Sequence, residues 1–363
     1  MKIFIYLRMT YKIGGEKIHE INLPRFVIIG SGVLTKINDI IKRINNESKL
    51  LIICGEGFTK TIADKVAENL KEFSFDLFSV KESTFEEVKE VEEMIERTKA
   101  KIVIGVGGGK TIDVAKLSSF NRGISFISVP TSPSHDGISS PIASIKKDNG
   151  STSIMAHPPI ALIADTDIII KTSKRHLVSG VGDIIAKFTA VRDWRLAHRL
   201  KGEYYGEYSA SLALMSAKLV AKNSELIAKN SEAGLRVLLE ALISCGYAMC
   251  IAGSSRPCSG SEHLFAHALE KITKDKTFHG ERCGIGTIMM MYLHGGNWKR
   301  IKEVLKRVGA PVTAKELGVS DEDIIEALTI AHTIRPERYT ILGEKGITRE
   351  AAIKVAEVTG VIE

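Results

Sequence analysis

Three of the ten histidines in this 363-residue chain fall within one short stretch. Ser259 to Gly284 reads S-G-S-E-H-L-F-A-H-A-L-E-K-I-T-K-D-K-T-F-H-G-E-R-C-G. His263 and His267 stand four apart, so on a helix both project from one face. His279 follows after enough chain for that helix to end and return. Two imidazoles from this set and one carboxylate, such as Asp183 in S-G-V-G-D-I-I-A-K, can hold a divalent cation. Such a set leaves a coordination position open, the pattern of a catalytic rather than a structural zinc. The spacing is not H-E-x-x-H, which disfavours a zinc protease. A single histidine is usually just a hydrogen-bonded core or surface residue; three together beside glycine-rich turns argue for a site.

Two further stretches could hold a ligand. Ile102 to Lys116 reads I-V-I-G-V-G-G-G-K-T-I-D-V-A-K. Glycines after a buried strand let the backbone approach a ligand closely, and the N-terminus of the following helix offers free N–H groups to a pyrophosphate. Lys110 and Thr111 add a charge and a hydroxyl. The string is neither G-x-G-x-x-G nor a Walker loop, and a tight turn without a ligand is the bland alternative. Val129 to Pro141 reads V-P-T-S-P-S-H-D-G-I-S-S-P. Here Thr131, Ser132, Ser134 and Ser140 can hold phosphate or amide groups and Asp136 a substrate hydroxyl, at the strand end where parallel sheets bind ligands. A plain Ser/Pro surface turn is the competing reading.

These stretches need a scaffold, and the hydrophobic periodicity supplies one. Strands are predicted at Val27–Ile29, Leu50–Cys54, Asp76–Val80, Ile102–Val106 and Ser125–Val129, separated by helices over Val33–Ile44, Phe58–Leu70, a Thr84-capped segment to Thr98, and one from Thr111. This alternation implies an α/β fold, a Rossmann-like parallel sheet with helices on both faces. A hairpin over Pro141–Ile145 and Ile154, with a turn at Lys146–Gly150, and a closing strand at Ile160–Ala164 follow. Beyond about Lys171 strand signals almost vanish. Helices are predicted at Asp183–His198, which Asp183 opens, and at Tyr208–Lys222, Ala233–Ala252, Glu262–Ile272, Cys283–Met291, Lys299–Val308, Asp321–His332 and Arg349–Val358. The chain therefore divides into an α/β dinucleotide-binding domain, 1–170, and an all-helical metal- and substrate-binding domain, 171–363. A ligand crevice is expected between them.

Composition narrows the function classes. An apolar share of 44% with 26% charged residues predicts a well-packed globular protein. The net charge of +7 is scattered, without a basic stripe interleaved with aromatics, so no nucleic-acid partner is expected. Such scattered charge is first ordinary solubility chemistry, and as the second reading its sign suits an anionic substrate or cofactor. Five cysteines, odd in number and without C-x-x-C, suit free thiols in a reducing, cytoplasmic compartment. Met1–Met9 lacks a cleavage site and reads as no signal peptide. Leu235–Ala252, interrupted by Arg236 and Glu240, reads as a core helix and not a membrane span.

G-G-G-K-T-I-D, the P-T-S loop, G-V-G-D, H-x3-H and H-G-E occur here in the order and at the intervals of the superfamily of metal-dependent alcohol dehydrogenases, glycerol dehydrogenase and dehydroquinate synthase, which residues 24 to 300 resemble. Within it, S-P-S-H-D-G-I-S-S-P and S-G-S-E-H-L-F-A-H-A-L-E look most like the archaeal-type sn-glycerol-1-phosphate dehydrogenases. That resemblance implies reduction of dihydroxyacetone phosphate by NAD(P)H to sn-glycerol 1-phosphate, the glycerophosphate backbone of ether lipids. It implies Asp183, His263 and His279 as metal ligands. Cofactor contacts then fall on Gly109, Lys110, Thr111, Ile112, Asp113, Thr131, Ser132, Pro133, Ser134 and Ser140. The catalytic, substrate-contacting groups are Asp136, Asp183 and His267. Zn²⁺ suits the ligand set, although Fe²⁺ accepts similar donors. For the substrate's phosphate, His135, Lys187 and Arg282 are candidates by proximity to the motifs. C-G-E-G stands after the second strand, where an acid often marks NAD; Glu56 could serve, and NAD versus NADP is left open. The first twenty residues match nothing in the family, and a homo-oligomer is left open. The rival readings are a glycerol or other alcohol dehydrogenase acting on an unphosphorylated substrate, a lyase like dehydroquinate synthase, and a silent nucleotide-binding scaffold. G-G-G-K-T-I-D with Asp183 departs from the lyase pattern.

Overall fold

The computed structural model describes residues 19–45, 49–147, 150–273 and 277–363, with backbone only at 12–13 and 16–17. The reading of Met1–Met9 lies outside the described residues.

Alternation along the strands builds the first half. Leu50, Ile52 and Cys54 of β2 (Leu50–Cys54) pack into one apolar cluster, while Leu51 and Ile53 pack into another on the opposite face. Ile102 and Ile104 of β4 (Ile102–Gly107) divide from Val103 in the same way. With β1 (Phe26–Gly30), β3 (Phe75–Ser79), β5 (Ser125–Pro130) and β8 (Ala161–Asp165) they form a six-stranded sheet in the order β1-β8-β5-β4-β2-β3, parallel throughout. Helices α1 (Ile37–Ile44) and α2 (Phe58–Glu68) cover one face, through Ile40, Ile41, Ile62 and Val66. Helices α3 (Phe85–Thr98) and α4 (Gly109–Asn121) cover the other, through Val88, Val91 and Val114. Thr84 caps α3, its Oγ1 accepting from the Glu87 N–H at 3.3 Å. The antiparallel hairpin β6 (Ile142–Lys147) and β7 (Gly150–Met155) stands outside the sheet. Strand order reverses between β2 and β4, so the crevice at their carboxyl ends is where a parallel sheet offers a binding site.

Among the described residues no strand follows Asp165. The longer helices are α5 (Lys174–Ile185), α6 (Lys187–Lys201), α7 (Glu207–Lys222), α8 (Glu232–Ala252), α9 (Ser261–Thr273), α10 (His279–Leu293), α11 (Trp298–Val308), α12 (Asp321–Ile330) and α13 (Arg349–Val358). The apolar α8 is long enough to span a membrane, yet 67% of its apolar window is buried within the fold, as the core reading requires. All five cysteines are free and buried.

One expectation is corrected. Asp183 does not open a helix; it lies in the last turn of α5, a helix the sequence reading missed. The glycines of S-G-V-G-D suggested a turn, but packing requires them. A Cβ on Gly182 would sit 2.0 Å from the Gly280 carbonyl oxygen, and one on Gly180 would sit 1.9 Å from that of Pro133. Glycine is needed there for close backbone approach. Similarly, α10 begins at His279 rather than at Cys283.

Candidate active site

The glycine run ends β4 and starts α4 at Gly109, with Gly108 at the N-cap and no side chain capping the first turn. Those N–H groups face a cavity of about 680 Å³. The loop after β5 folds back over them. The Thr131 N–H donates to the Gly107 carbonyl at 2.9 Å. A Cβ on Gly109 would lie 2.0 Å from His135 Nε2, so only glycine leaves room for that ring.

Lys116 fixes this loop. Its fully buried ammonium donates to Asp113 Oδ1 at 3.0 Å, to the Gly137 carbonyl at 2.8 Å and to the Ile142 carbonyl at 2.6 Å. Asp113 Oδ2 accepts from the Ser144 N–H at 3.1 Å. The carboxylate of Asp113 therefore serves as a brace for the hairpin and the loop. Nothing in the motif strings marked Lys116, whose place on an apolar helix face was the one available signal.

Three helices bring the histidine cluster and Asp183 together. Helix α5 carries Asp183, α9 carries His263 and His267, and α10 carries His279 at its first position. The α5–α10 crossing at Gly182 and Gly280 sets how close they come. His263 Nε2 stands 3.4 Å from Asp183 Oδ1. The His263 and His279 ring centroids are 5.1 Å apart, those of His267 and His279 5.7 Å. One donor atom from each of Asp183, His263, His279 and Cys283 falls within 4.8 Å of all the others. Cys283 was not anticipated as part of this group.

Buried charges hold the cluster in place. Lys187 Nζ donates to Asp183 Oδ1 and to Asp136 Oδ2, both at 2.8 Å, and the Asp136 N–H donates to Asp183 Oδ2 at 2.9 Å. Burial works to raise the Asp183 carboxyl, but the Lys187 ammonium and the His263 contact outweigh it and hold the group well below the usual carboxylate range. Asp136 moves up instead, through burial and then the Asp183 charge. Glu262, with no exposure, stands behind His263. Its Oε1 accepts from His263 Nδ1 at 2.8 Å and from the Gly260 N–H at 2.7 Å, and its Oε2 accepts from Thr189 Oγ1 at 2.7 Å. His263 Nε2 is thereby left for the centre of the cluster. His267 Nδ1 faces Glu270 Oε2 at 3.3 Å, while Glu270 Oε1 accepts from Ser151 Oγ at 2.9 Å. Burial pushes His267 down to about 4 against the pull of Glu270. Glu270 itself lies at about 2, where His267 and Arg282 outweigh burial.

Two imidazoles and a carboxylate that converge on one point fit a divalent cation, with ligand bonds of about 2.0–2.2 Å. The backing of His263 by Glu262 is the outer arrangement such sites use. Cys283 offers a soft fourth donor.

Of the residues singled out from sequence, Gly109, Lys110, Thr111 and Asp113 line the cavity on the sheet side. Ser132, Ser134, Asp136 and Ser140 line it from the loop, and His263, His267 and His279 from the helices. Three residues are turned elsewhere. Ile112 is buried in the apolar core, Thr131 is buried beneath the loop, and the Pro133 carbonyl packs on Gly180. Asp183 stands just behind the wall. Lys187 is corrected as a phosphate candidate: it is fully buried and its ammonium is held by two carboxylates. His135 and Arg282 do reach the cavity.

A family model described as iron-containing alcohol dehydrogenase matches residues 28–172. The chain is 53% identical over 347 residues to a glycerol-1-phosphate dehydrogenase [NAD(P)+] of Sulfurisphaera tokodaii, covering 96% of this chain and 99% of that one. It is 56% identical over 346 residues to a protein of the same name from Pyrococcus horikoshii, covering 95% and 100%. Among solved structures it resembles a probable glycerol dehydrogenase from Sinorhizobium meliloti, with a TM-score of 0.79, 19% identity and coverage of 95% and 100%. The glycerol dehydrogenase of Schizosaccharomyces pombe gives 0.77 at 20% identity, covering 96% and 94%. At such identities these two structures speak for the fold alone.

Proposed function

The chain belongs to the glycerol-1-phosphate dehydrogenases, and on that premise we propose that it reduces dihydroxyacetone phosphate to sn-glycerol 1-phosphate with NAD(P)H at a divalent-metal site. The observation that carries the reading is the single cavity in which the His263, His267 and His279 cluster faces the glycine turn of β4 and α4. Its product is the glycerophosphate backbone of ether lipids.

The sheet half, 1–170, holds the dinucleotide. The uncapped N–H groups of α4 take the diphosphate, helped by Lys110 and Thr111, while Ser132, Ser134 and Ser140 supply hydroxyls from the loop. The helical half, 171–363, holds the metal and the substrate. When bound by Asp183, His263 and His279, a divalent ion supplies Lewis acidity toward the ketone oxygen, and the nicotinamide supplies the hydride. We assign Zn²⁺, because two imidazoles, a carboxylate and a nearby thiol suit it. With Nδ1 turned to Glu270, His267 leaves Nε2 to accept a hydrogen bond from a substrate hydroxyl, which orients the ketone. Asp136 holds a second hydroxyl. Reduction consumes one proton together with the hydride, and the Asp136–Lys187 pair and His267 border the place where it must arrive.

The test is NAD(P)H oxidation with dihydroxyacetone phosphate, dihydroxyacetone and butyraldehyde, before and after chelation and desalting. The phosphorylated ketone should be strongly preferred, and activity should vanish on metal removal and return with Zn²⁺. Equal rates on both ketones would remove the substrate assignment, and full activity after chelation would remove the metal.

A further inference from the structure

Arg335 belongs to none of the sequence motifs. It follows the short turn Ala331–Thr333 after α12 and lines the cavity that also holds His267. It is partly buried, and its Nη2 donates to Ser153 Oγ on β7 at 2.6 Å. Among the described residues no carboxylate lies within ion-pair distance of it; the acid that acts on it, Glu337, is exposed. Arg338 does not balance the charge but adds to it, donating to the Ser259 carbonyl at 2.6 Å and to Ser255 Oγ at 2.8 Å. Burial, then the like charges of Arg335 and Arg256, push Arg338 down to about 9. Glu270, the acid beside His267, already faces Arg282 at 3.5 Å.

A partly buried guanidinium whose hydrogen-bond partner is a neutral hydroxyl lacks a counter-charge that a ligand can bring. Building on the functional reading above, we propose that Arg335, with Ser153 beside it, receives the phosphate of dihydroxyacetone phosphate and sets the preference for the phosphorylated ketone. The planar fork of arginine matches phosphate oxygens in a bidentate manner. The position separates this role from cofactor binding: the dinucleotide's diphosphate has its own cradle at Gly108 and Gly109 on the sheet, whereas Arg335 stands with the helical half. There its charge is felt by His267.

The test compares wild type, Arg335→Gln and Arg335→Lys. It measures kcat/KM for dihydroxyacetone phosphate and for dihydroxyacetone, KM for NADPH, inhibition by inorganic phosphate, and thermal midpoint. Losing a charged, bidentate partner should shrink the preference for the phosphorylated over the unphosphorylated ketone by roughly a hundredfold in Arg335→Gln, mainly through KM. Arg335→Lys should recover part of it. Inorganic phosphate should compete with dihydroxyacetone phosphate in wild type and much less in Arg335→Gln. A wild type that discriminates, with an Arg335→Gln that discriminates equally well, overturns this role and leaves the functional reading standing. A rise confined to the NADPH KM overturns it in favour of cofactor binding. A wild type indifferent to the phosphate overturns the functional reading and this role with it.

Discussion

Glu262 gives the sharpest perturbation of the proposed metal site, because its replacement by glutamine changes charge and almost nothing else. The amide oxygen can still accept from the Gly260 N–H and from His263 Nδ1, which Oε1 now meets at 2.7 and 2.8 Å. The amide NH2 then faces Thr189, whose hydroxyl can turn from donating to accepting across the present 2.7 Å. The variant loses the negative charge that makes the imidazole a stronger donor on its opposite nitrogen. Loss of such outer partners weakens metal binding by about 10–100-fold, or roughly 1.4–2.7 kcal/mol. Alanine would confuse the issue by stripping three buried partners at once, at about 1–3 kcal/mol for each unsatisfied group. The assay titrates metal-free protein with Zn²⁺ against a chromophoric chelator and follows the metal-free thermal midpoint. For Glu262→Gln the expected result is a weaker Zn²⁺ affinity with a midpoint within about 2 °C of wild type. Unchanged affinity would refute the reasoning. So would a metal-free midpoint that falls steeply, since Glu262 would then be a fold residue alone.

Two more perturbations test how the site is assembled. Gly182→Ala puts a methyl 2.0 Å from the Gly280 carbonyl oxygen, so α5 and α10 must separate and carry Asp183 away from His279. Far-UV circular dichroism should stay near wild type while metal content and activity drop, the latter by about a hundredfold for an ångström of misplacement; full metal occupancy would contradict it. His157 is pushed down to about 4 by burial and then by Lys116, so it stays neutral in the fold where the unfolded chain would protonate it. Its stabilising contribution is complete above the unfolded pKa near 6.5 and is lost as pH falls toward the folded value. The loss amounts to roughly 2–3 kcal/mol at pH 4.5. Urea midpoints at pH 7 and 4.5 should therefore fall less in His157→Gln than in wild type, and equal falls would refute the assignment.

The parallel sheet was legible because its central strands, buried on both faces, read as short β-branched runs between glycine turns, and the helical half because its apolar residues recur at helical spacing. The i, i+4 spacing of His263 and His267 placed both rings on one face of α9 before any coordinates. What escaped the sequence depended on contacts between distant segments. The glycines near Asp183 looked like a helix start, since a sequence cannot distinguish a glycine needed for a turn from one needed for a helix crossing. Lys116 and Glu262 are charged residues on otherwise apolar helix faces, and their roles come from partners outside their own helices: Gly137 and Ile142 for one, Thr189 for the other. Arg335 lay in a segment with no motif, and only the fold brings it to β7.

Lys187 shows why the two halves enclose one cavity rather than two separate surfaces. One ammonium holds Asp183, on a helix of the second half, and Asp136, on a loop of the first, each at 2.8 Å. The backbone N–H of Asp136 returns to the other oxygen of Asp183. Any rotation of α5 that moves the Asp183 carboxylate must therefore also move the loop that covers the glycine turn. When both carboxylates are ionised the trio carries one net negative charge, which a dication beside Asp183 offsets. Burial instead tends to raise Asp136. A cation bound beside Asp183 should thus tighten the loop, coupling the glycine-turn side of the cavity to the histidine side through three buried charges.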